Sequence, residues 1–259
     1  MTKVRDVVKV IEDFAPLSVQ ESWDNCGLCI GSEDAEVSSV LLGLDCTPAL
    51  VDEAIACGAN MIVTHHPLIF RGLKRINGQD PVSETVMKAI KHDIAVYAAH
   101  TSADKVSGGV SWAMADRLGL SDVEVLDEES SGVGLGVVGN LKPAVPVGEF
   151  ASFVKKRFEL DALRMSRQDE IMISRVAMCG GSGGSLIEKA RNSGAQVYIS
   201  GDISYHEFFV PDGFVIMDIG HYESEKYIVE ILFSIIRKNF SNFAVRMSEN
   251  AYNNPILYI

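Results

Sequence analysis

The side chains of this chain best suited to chemistry are its histidines. Five of the six, His65, His66, His100, His206 and His221, stand in or beside turns that carry Gly or Pro. Three of these places also offer a second ligand. His65 and His66 are adjacent, His100 is followed four residues on by Asp104, and His221 is followed four residues on by Glu225. A four-residue spacing brings imidazole and carboxylate to one face if both sit on a first helical turn. Imidazole with carboxylate suits zinc, iron, manganese or nickel, and does not suit thiolate-seeking copper(I). The plain alternative at each place is a hydrogen-bonded residue that closes a loop.

Each ligand spot follows a short apolar run. Met61 to Thr64 read as a buried strand that runs into His65 and His66, and Pro67 forbids its continuation. Strands over 94–98 and 214–219 lead to His100 and His221. In an α/β sheet, residues past the carboxyl ends of strands face the ligand crevice. The intervening pattern predicts helices over 2–14 (capped by Thr2), 48–57, 81–92, 108–118, 147–158 and 224–238. Further strands are expected over 40–45, 135–141, 196–200 and 243–247. Strands alternating with helices predict an α/β protein.

The two halves of the sequence match. Shifted by 136 residues, Val40–His66 falls on Val176–Asp202 without a gap, so Gly58-Ala59-Asn60 meets Gly194-Ala195-Gln196. At an offset of 121, the strand before His100 and Asp104 falls on the strand before His221 and Glu225. The expected fold is therefore two interlinked, related α/β domains with mixed sheets flanked by helices. The acidic, small stretch at 126–134 marks the internal boundary. The expected division is a metal-binding domain of residues 1–127 plus 213–259 and a second domain of residues 128–212. Gly201 and Asp202 stand where the first half has His65 and His66, so the second half lacks imidazoles for a site of its own.

Composition narrows the function. The 259 residues are 47% hydrophobic and 22% charged, and the formal net charge is −12. Such a charge opposes nucleic-acid backbones. No run of 18 apolar residues spans a membrane. The N-terminus reads as an amphipathic helix rather than a signal peptide, and the five cysteines are an odd number, so reduced thiols and a cytoplasmic location are expected. Cys26 and Cys29 have the spacing of a zinc pair, but no second pair exists to complete a thiolate site.

Taken together, Trp23-Asp24-Asn25-Cys26-Gly27-Leu28, Thr64-His65-His66-Pro67-Leu68, His100-Thr101-Ser102-Ala103-Asp104, Gly180-Gly181-Ser182-Gly183 and Gly220-His221-Tyr222-Glu223-Ser224-Glu225 resemble the GTP cyclohydrolase I type 2 homologues, also called Nif-three-like proteins. The resemblance runs from residue 1 to the Asn254-Pro255-Ile256 tail and is to the short form, with no room at 128–134 for an extra domain. Cys26 departs from it, since an aliphatic residue is common there. The resemblance implies a toroidal homohexamer and two divalent transition-metal ions per subunit. His65, His66, Asp104, His221 and Glu225 would be the ligands, with Glu225 touching both ions. It leaves the activity open between two classes. One is a hydrolase that uses a metal-bridging hydroxide on a small anionic substrate such as a nucleotide or phosphoester. The other is a non-catalytic metal-binding, partner-binding oligomer.

Two further features are weighed on the residues alone. The Gly-rich stretch 180–184 opens a helix and could present amides to an anion. It lacks the Gly-Lys-Ser/Thr ending of a nucleotide loop, and a tight turn is the preferred reading. Asp202 and His206 are candidate acid–base groups, with a capping or surface role as the alternative.

Overall fold

The computed structural model describes residues 1–167, 170–249 and 254–259. Along the chain run α1 (Val4–Phe14), β1 (Gly27–Ile30), β2 (Ser39–Gly43), α2 (Pro48–Cys57), β3 (Met61–Thr64), α3 (Pro81–Lys91), β4 (Ala95–Ala98) and α4 (Thr101–Asp104). Next come α5 (Val110–Leu118), β5 (Ser121–Ser130), β6 (Val133–Pro146), α6 (Val147–Phe158), β7 (Arg164–Met165) and β8 (Met172–Ser182). The last are α7 (Ile187–Asn192), β9 (Val197–Gly201), β10 (Val215–Asp218), α8 (His221–Glu225), α9 (Ile228–Asn239) and β11 (Ala244–Met247). Two compact units result, one of Met1–Ala103 with Ile228–Asn253, the other of Asp104–Tyr227 with Asn254–Ile259. Each is built on one mixed sheet flanked by helices, the α/β class that the strand–helix alternation implied.

In the first unit the sheet order is β1-β4-β3-β2-β11. The three central strands are parallel, with Gly43 beside Thr64 and Thr64 beside Ala98. Every residue of β2, β3 and β4 is buried, which explains their unbroken apolar runs. Leu41, Ile62 and Val96 pack with Leu50, Val51 and Ala54 of α2 and with Val86 and Ala89 of α3. Each fully buried side chain of this size contributes about 1.5–3 kcal/mol. Pro at the first turn of α2 and Gly58 in the left-handed conformation at its end set the helix length. Helix α1 begins later than expected, at Val4. Lys3 flanks it, with its amide donating to Asp6 at 2.7 Å, while the Thr2 carbonyl is taken by the Val37 amide.

In the second unit the order is β5-β6-β8-β9-β10-β7. Alternate residues face opposite sides of the sheet. Val137, Met178, Ile199 and Met217 pack with Met114, Phe150 and Val154 on one side. Val138, Ala177, Tyr198 and Ile216 pack with Leu186 and Ala190 on the other. The stretch 126–134, expected as a boundary, is the turn of the β5–β6 hairpin, because Asp127 pairs with Leu135 and Glu128 with Gly134. The chain leaves the first unit between Ala103 and Asp104 instead. The single helix expected over 224–238 is two, α8 and α9.

The sequence repeat has a physical counterpart. Asn60 Oδ1 accepts from the Ser38 amide at 2.9 Å and the Ser38 hydroxyl at 3.0 Å. Gln196 Oε1 accepts from the Ser174 amide at 3.0 Å and the Ser174 hydroxyl at 3.2 Å. Both pairs are related by the shift of 136. The later match is displaced by one residue. Ala99 donates to Thr64 and Ile219 to Ser200, each at 2.9 Å, so the strands correspond at an offset of 120. His100 then corresponds to Gly220, not to His221. Gly220, at φ +92°, carries the extra residue, and His221 opens α8 whereas His100 precedes α4.

Asn60→Ala and Gln196→Ala should each remove a bracket worth about 0.5–1.5 kcal/mol from their own unit. Hydrogen exchange should quicken at Ser38 in the first variant and at Ser174 in the second. Unchanged protection at both amides would contradict the bracket.

Candidate functional site

The in-register carboxyl ends of β2, β3 and β4 place three histidines together in the first unit. His65 directly follows β3 and is fully buried, and its Nδ1 lies 2.7 Å from the Ala99 carbonyl. His66 Nδ1 lies 2.7 Å from Asp45 Oδ1, two residues past β2, and its amide donates to Leu44 at 3.0 Å. His100 Nδ1, past β4, lies 2.8 Å from Asp24 Oδ1. The ring centroids are 5.0 to 5.5 Å apart, and one nitrogen from each ring lies within 4.8 Å of the other two.

Asp24, which the sequence offered only as part of the Trp23–Leu28 motif, anchors this cluster. Its side chain is buried. Burial by itself would raise the carboxyl pKa, but hydrogen bonds from His100, Thr101 and Cys26 outweigh it and hold the group far below the usual carboxylate range. The Thr101 amide reaches Asp24 Oδ2 at 3.0 Å and the Cys26 thiol reaches it at 3.1 Å. Asp45 was missed. Only the fold brings residue 24 to residue 100, or residue 45 to residue 66.

The second unit holds a group of donors of its own. His221 Nδ1 lies 2.8 Å from Asp202 Oδ2, and its Nε2 lies 2.9 Å from Glu225 Oε2. Carboxylate oxygens of Asp104 and Glu225 lie within 4.8 Å of each other. Glu225 is only 3% exposed. The loops are set by Asp218, whose carboxylate accepts the Ile203 amide and the Gly220 amide, each at 2.9 Å, and pairs with Arg164.

The Gly-rich stretch packs against these donors. It continues β8 as far as Ser182, which pairs with Gly201. The Gly181 amide donates to the Ser224 hydroxyl at 2.9 Å, and the Gly180 amide to the Ser111 hydroxyl at 3.3 Å. These amides are spent within the protein, which favours the packing role over anion binding. Gly181 has φ +63°, and a Cβ there would run into Glu225 Oε1. A Cβ on Gly201 would come within 2.7 Å of the His221 backbone nitrogen. Backbone thus approaches both ligands as closely as glycine allows.

One regularity runs through the four histidines. Each Nδ1 faces a carbonyl or carboxylate oxygen, which has no proton to give. Nδ1 therefore carries the hydrogen, and the lone pair of the neutral ring is left on Nε2. This is the arrangement that orients metal-ligating imidazoles. At His221 the consequence is sharpest. Its Nε2 lone pair would face the Glu225 carboxylate at 2.9 Å, so either a proton or a cation must lie between them. The donors fit a divalent ion of borderline hardness.

His206 is exposed in the turn Tyr205–Phe208, its ring 5.3 Å from that of Tyr205 and 6.4 Å from that of Phe209. All five cysteines are free thiols. Burial pushes the Cys29 thiol up to about 11, and those of Cys46 and Cys179 to about 12. Among the described residues no helix is long and apolar enough to cross a membrane.

The profile of Duf34/NIF3 (NGG1p interacting factor 3) matches residues 2–255. The chain belongs to this family. A Clostridium acetobutylicum protein named GTP cyclohydrolase 1 type 2 homolog is 36% identical over 230 residues, covering 86% of this chain and 85% of its own. A Streptococcus pneumoniae protein of the same name is 38% identical over 234 residues, covering 88% and 86%. The crystal structure of a Staphylococcus aureus hypothetical protein matches at a TM-score of 0.91 with 29% identity, covering 99% of each chain. The family resemblance read from the ordered motifs is thereby confirmed.

The hydrogen-bond partners of the histidines should matter nearly as much as the rings. Asp45→Ala, Asp202→Ala and the double variant, which release His66, His221 and both rings, should each weaken zinc or manganese binding about 10–100-fold or more. Titration calorimetry on chelated, folded protein checks this, and affinities equal to wild type in all three would refute the orienting role.

Proposed function

We propose that this protein is a metal-dependent hydrolase acting on a nucleotide or another small phosphoester. The observation that carries the reading is the capture of Nδ1 by an oxygen acceptor at His65, His66, His100 and His221 alike. Loop-closing histidines have no reason to share one tautomer. The resemblance assigns His65, His66, Asp104, His221 and Glu225 as ligands to two divalent transition-metal ions. Glu225 supports this: a carboxylate 3% exposed is costly to ionise without a cation nearby.

When bound, such ions activate water for attack at neutral pH and accept negative charge from the substrate. Two of them against the carboxylates of Asp104 and Glu225 leave a charge of about +2, which draws anionic substrates. The protein's own part is orientation. Asp24, Asp45, Asp202 and the Ala99 carbonyl fix the rings, and Gly181 and Gly201 keep ligand backbone and carboxylate in place. His206 is assigned acid–base assistance. No nucleophilic Ser or Cys is required, in keeping with thiols that stay protonated at neutral pH.

The competing reading is a metal-bearing protein without turnover that binds partners. The family description, which names an interacting factor, favours considering it. Assembly as a homohexamer in the cytoplasm, without nucleic-acid binding, is proposed under either reading.

Elemental analysis of unchelated protein should find close to two transition-metal ions per chain, with Glu225→Gln losing the most. His66→Ala should lose turnover of a nucleotide and phosphoester panel while its circular dichroism stays that of wild type. His206→Ala should slow turnover about 10²-fold and keep its metal. Equal residual turnover in wild type and His66→Ala would assign the hydrolysis to a contaminant and leave the partner-binding reading standing. Light scattering should report a hexamer, and a shift assay at physiological salt should show no DNA complex.

Alkylation by iodoacetamide at pH 7.5 should be slow at Cys29, Cys46 and Cys179 in the native protein, because only thiolate reacts. The sign is that reaction quickens as pH rises toward those high pKa values. Peptide mapping that finds these three modified as fast as free cysteine would contradict the burial.

A further inference from the structure

Trp23 and Phe70 take no part in the chemistry above. They are 58% and 47% exposed, with ring centroids 5.8 Å apart and planes at 65°. Each ring centroid lies 6.3 Å from that of His100. Two large aromatic rings held in water beside His100, whose ring lies 5.3 Å from that of His65 and 5.5 Å from that of His66, mark a binding surface more than a packing feature. Their corner is also fixed in advance. Asn25 Nδ2 donates to the Ile69 carbonyl at 2.6 Å, which ties the loop of Trp23 to the residue before Phe70. Asp24, next to Trp23, is clamped by the Thr101 amide. A preset corner loses little freedom when a ligand enters.

The chain that leaves Phe70 adds charge. Arg71, Lys74 and Arg75 are all exposed, and among the described residues none of them enters an ion pair. No acidic residue stands between Phe70 and Asp80. In a chain of net charge −12, three uncompensated cations within five residues form a local exception to the average field.

We propose that Trp23, Phe70 and the loop 71–75 form a recognition subsite for a mononucleotide. The planar base stacks in the aromatic corner, and the phosphate is taken by Arg71, Lys74 and Arg75. Stacking on aromatic side chains accepts any base, because every base has a π-face. Guanidinium groups then grip phosphate oxygens in pairs. The inference rests on the hydrolase reading only for the fate of the bound nucleotide; the subsite itself needs no turnover.

The test uses the full chain carrying Trp112→Phe, so that Trp23 is its one remaining tryptophan. Guanosine 5′-monophosphate should quench its fluorescence saturably, with metal and after chelation. Guanosine should bind more weakly, and ribose 5-phosphate should not quench. By equilibrium dialysis on otherwise wild-type protein, Trp23→Ala should lose about tenfold or more in affinity for the nucleotide, and Trp23→Phe should keep most of it. Replacing Arg71, Lys74 and Arg75 together by Gln should bring the nucleotide down to the affinity of guanosine. Absence of saturable quenching, or equal dialysis affinities for wild type and Trp23→Ala, would overturn the subsite. So would a ten-residue single-stranded DNA that binds more tightly than the mononucleotide. If these results hold but loaded protein hydrolyses nothing, the hydrolase reading falls and the subsite stands. If nucleotide turnover has the same KM in wild type and Trp23→Ala, the subsite falls and the hydrolase reading stands.

Discussion

A histidine offers a metal one nitrogen, and the bond at its other nitrogen decides which. In this protein that second bond is an acceptor contact of 2.7–2.8 Å at His65, His66, His100 and His221. None of these contacts is local in sequence. His65 depends on Ala99 and His66 on Asp45, so both depend on β2, β3 and β4 ending together. The register that sets Gly43 beside Thr64 and Thr64 beside Ala98 is therefore the foundation of the first cluster. A slip of one residue would turn every side chain to the other face and scatter the rings. The burial of all three strands makes such a slip prohibitive.

The second unit reaches a similar end by another route. Its donors are mostly carboxylates, and they are steadied by close backbone approach. Gly181 lies against Glu225, Gly201 against the backbone of His221, and Asp218 gathers the amides of both neighbouring loops. Ser224 links these pieces, accepting from the Gly181 amide and donating to the His221 carbonyl at 2.7 Å. Residues that look like flexible turn material in a sequence are here packed too closely to admit a Cβ.

Charge is used unevenly. The chain carries an overall excess of acid, yet the loop after Phe70 is cationic, and the His and carboxylate groups lie close enough together that they could hold a cation. Cys26 joins the first cluster through its bond to Asp24. Burial raises the pKa of the Cys29, Cys46 and Cys179 thiols, which keeps them protonated at neutral pH.

The sequence by itself determined much. Apolar runs of four or five residues, ended by Gly or Pro, located the buried strands, because a strand covered on both faces can tolerate nothing else. The motif order was enough to place the chain in its family, and the shift of 136 residues aligned Asn60 with Gln196, whose twin brackets only the structure shows. Other features were decided only by the tertiary structure. The hairpin at 126–134 is polar because it is a turn, and polarity alone could not distinguish it from a boundary between units. The offset of 121 aligned two histidines by type, whereas the strand hydrogen bonds align them one residue apart, since register answers to backbone spacing and not to side-chain identity. Asp45 gave no local sign of its importance, and Asp24 stood in a family motif that did not name its partner. A carboxylate becomes the partner of a distant imidazole only when parallel strands bring their ends together, and that proximity is a property of the folded sheet.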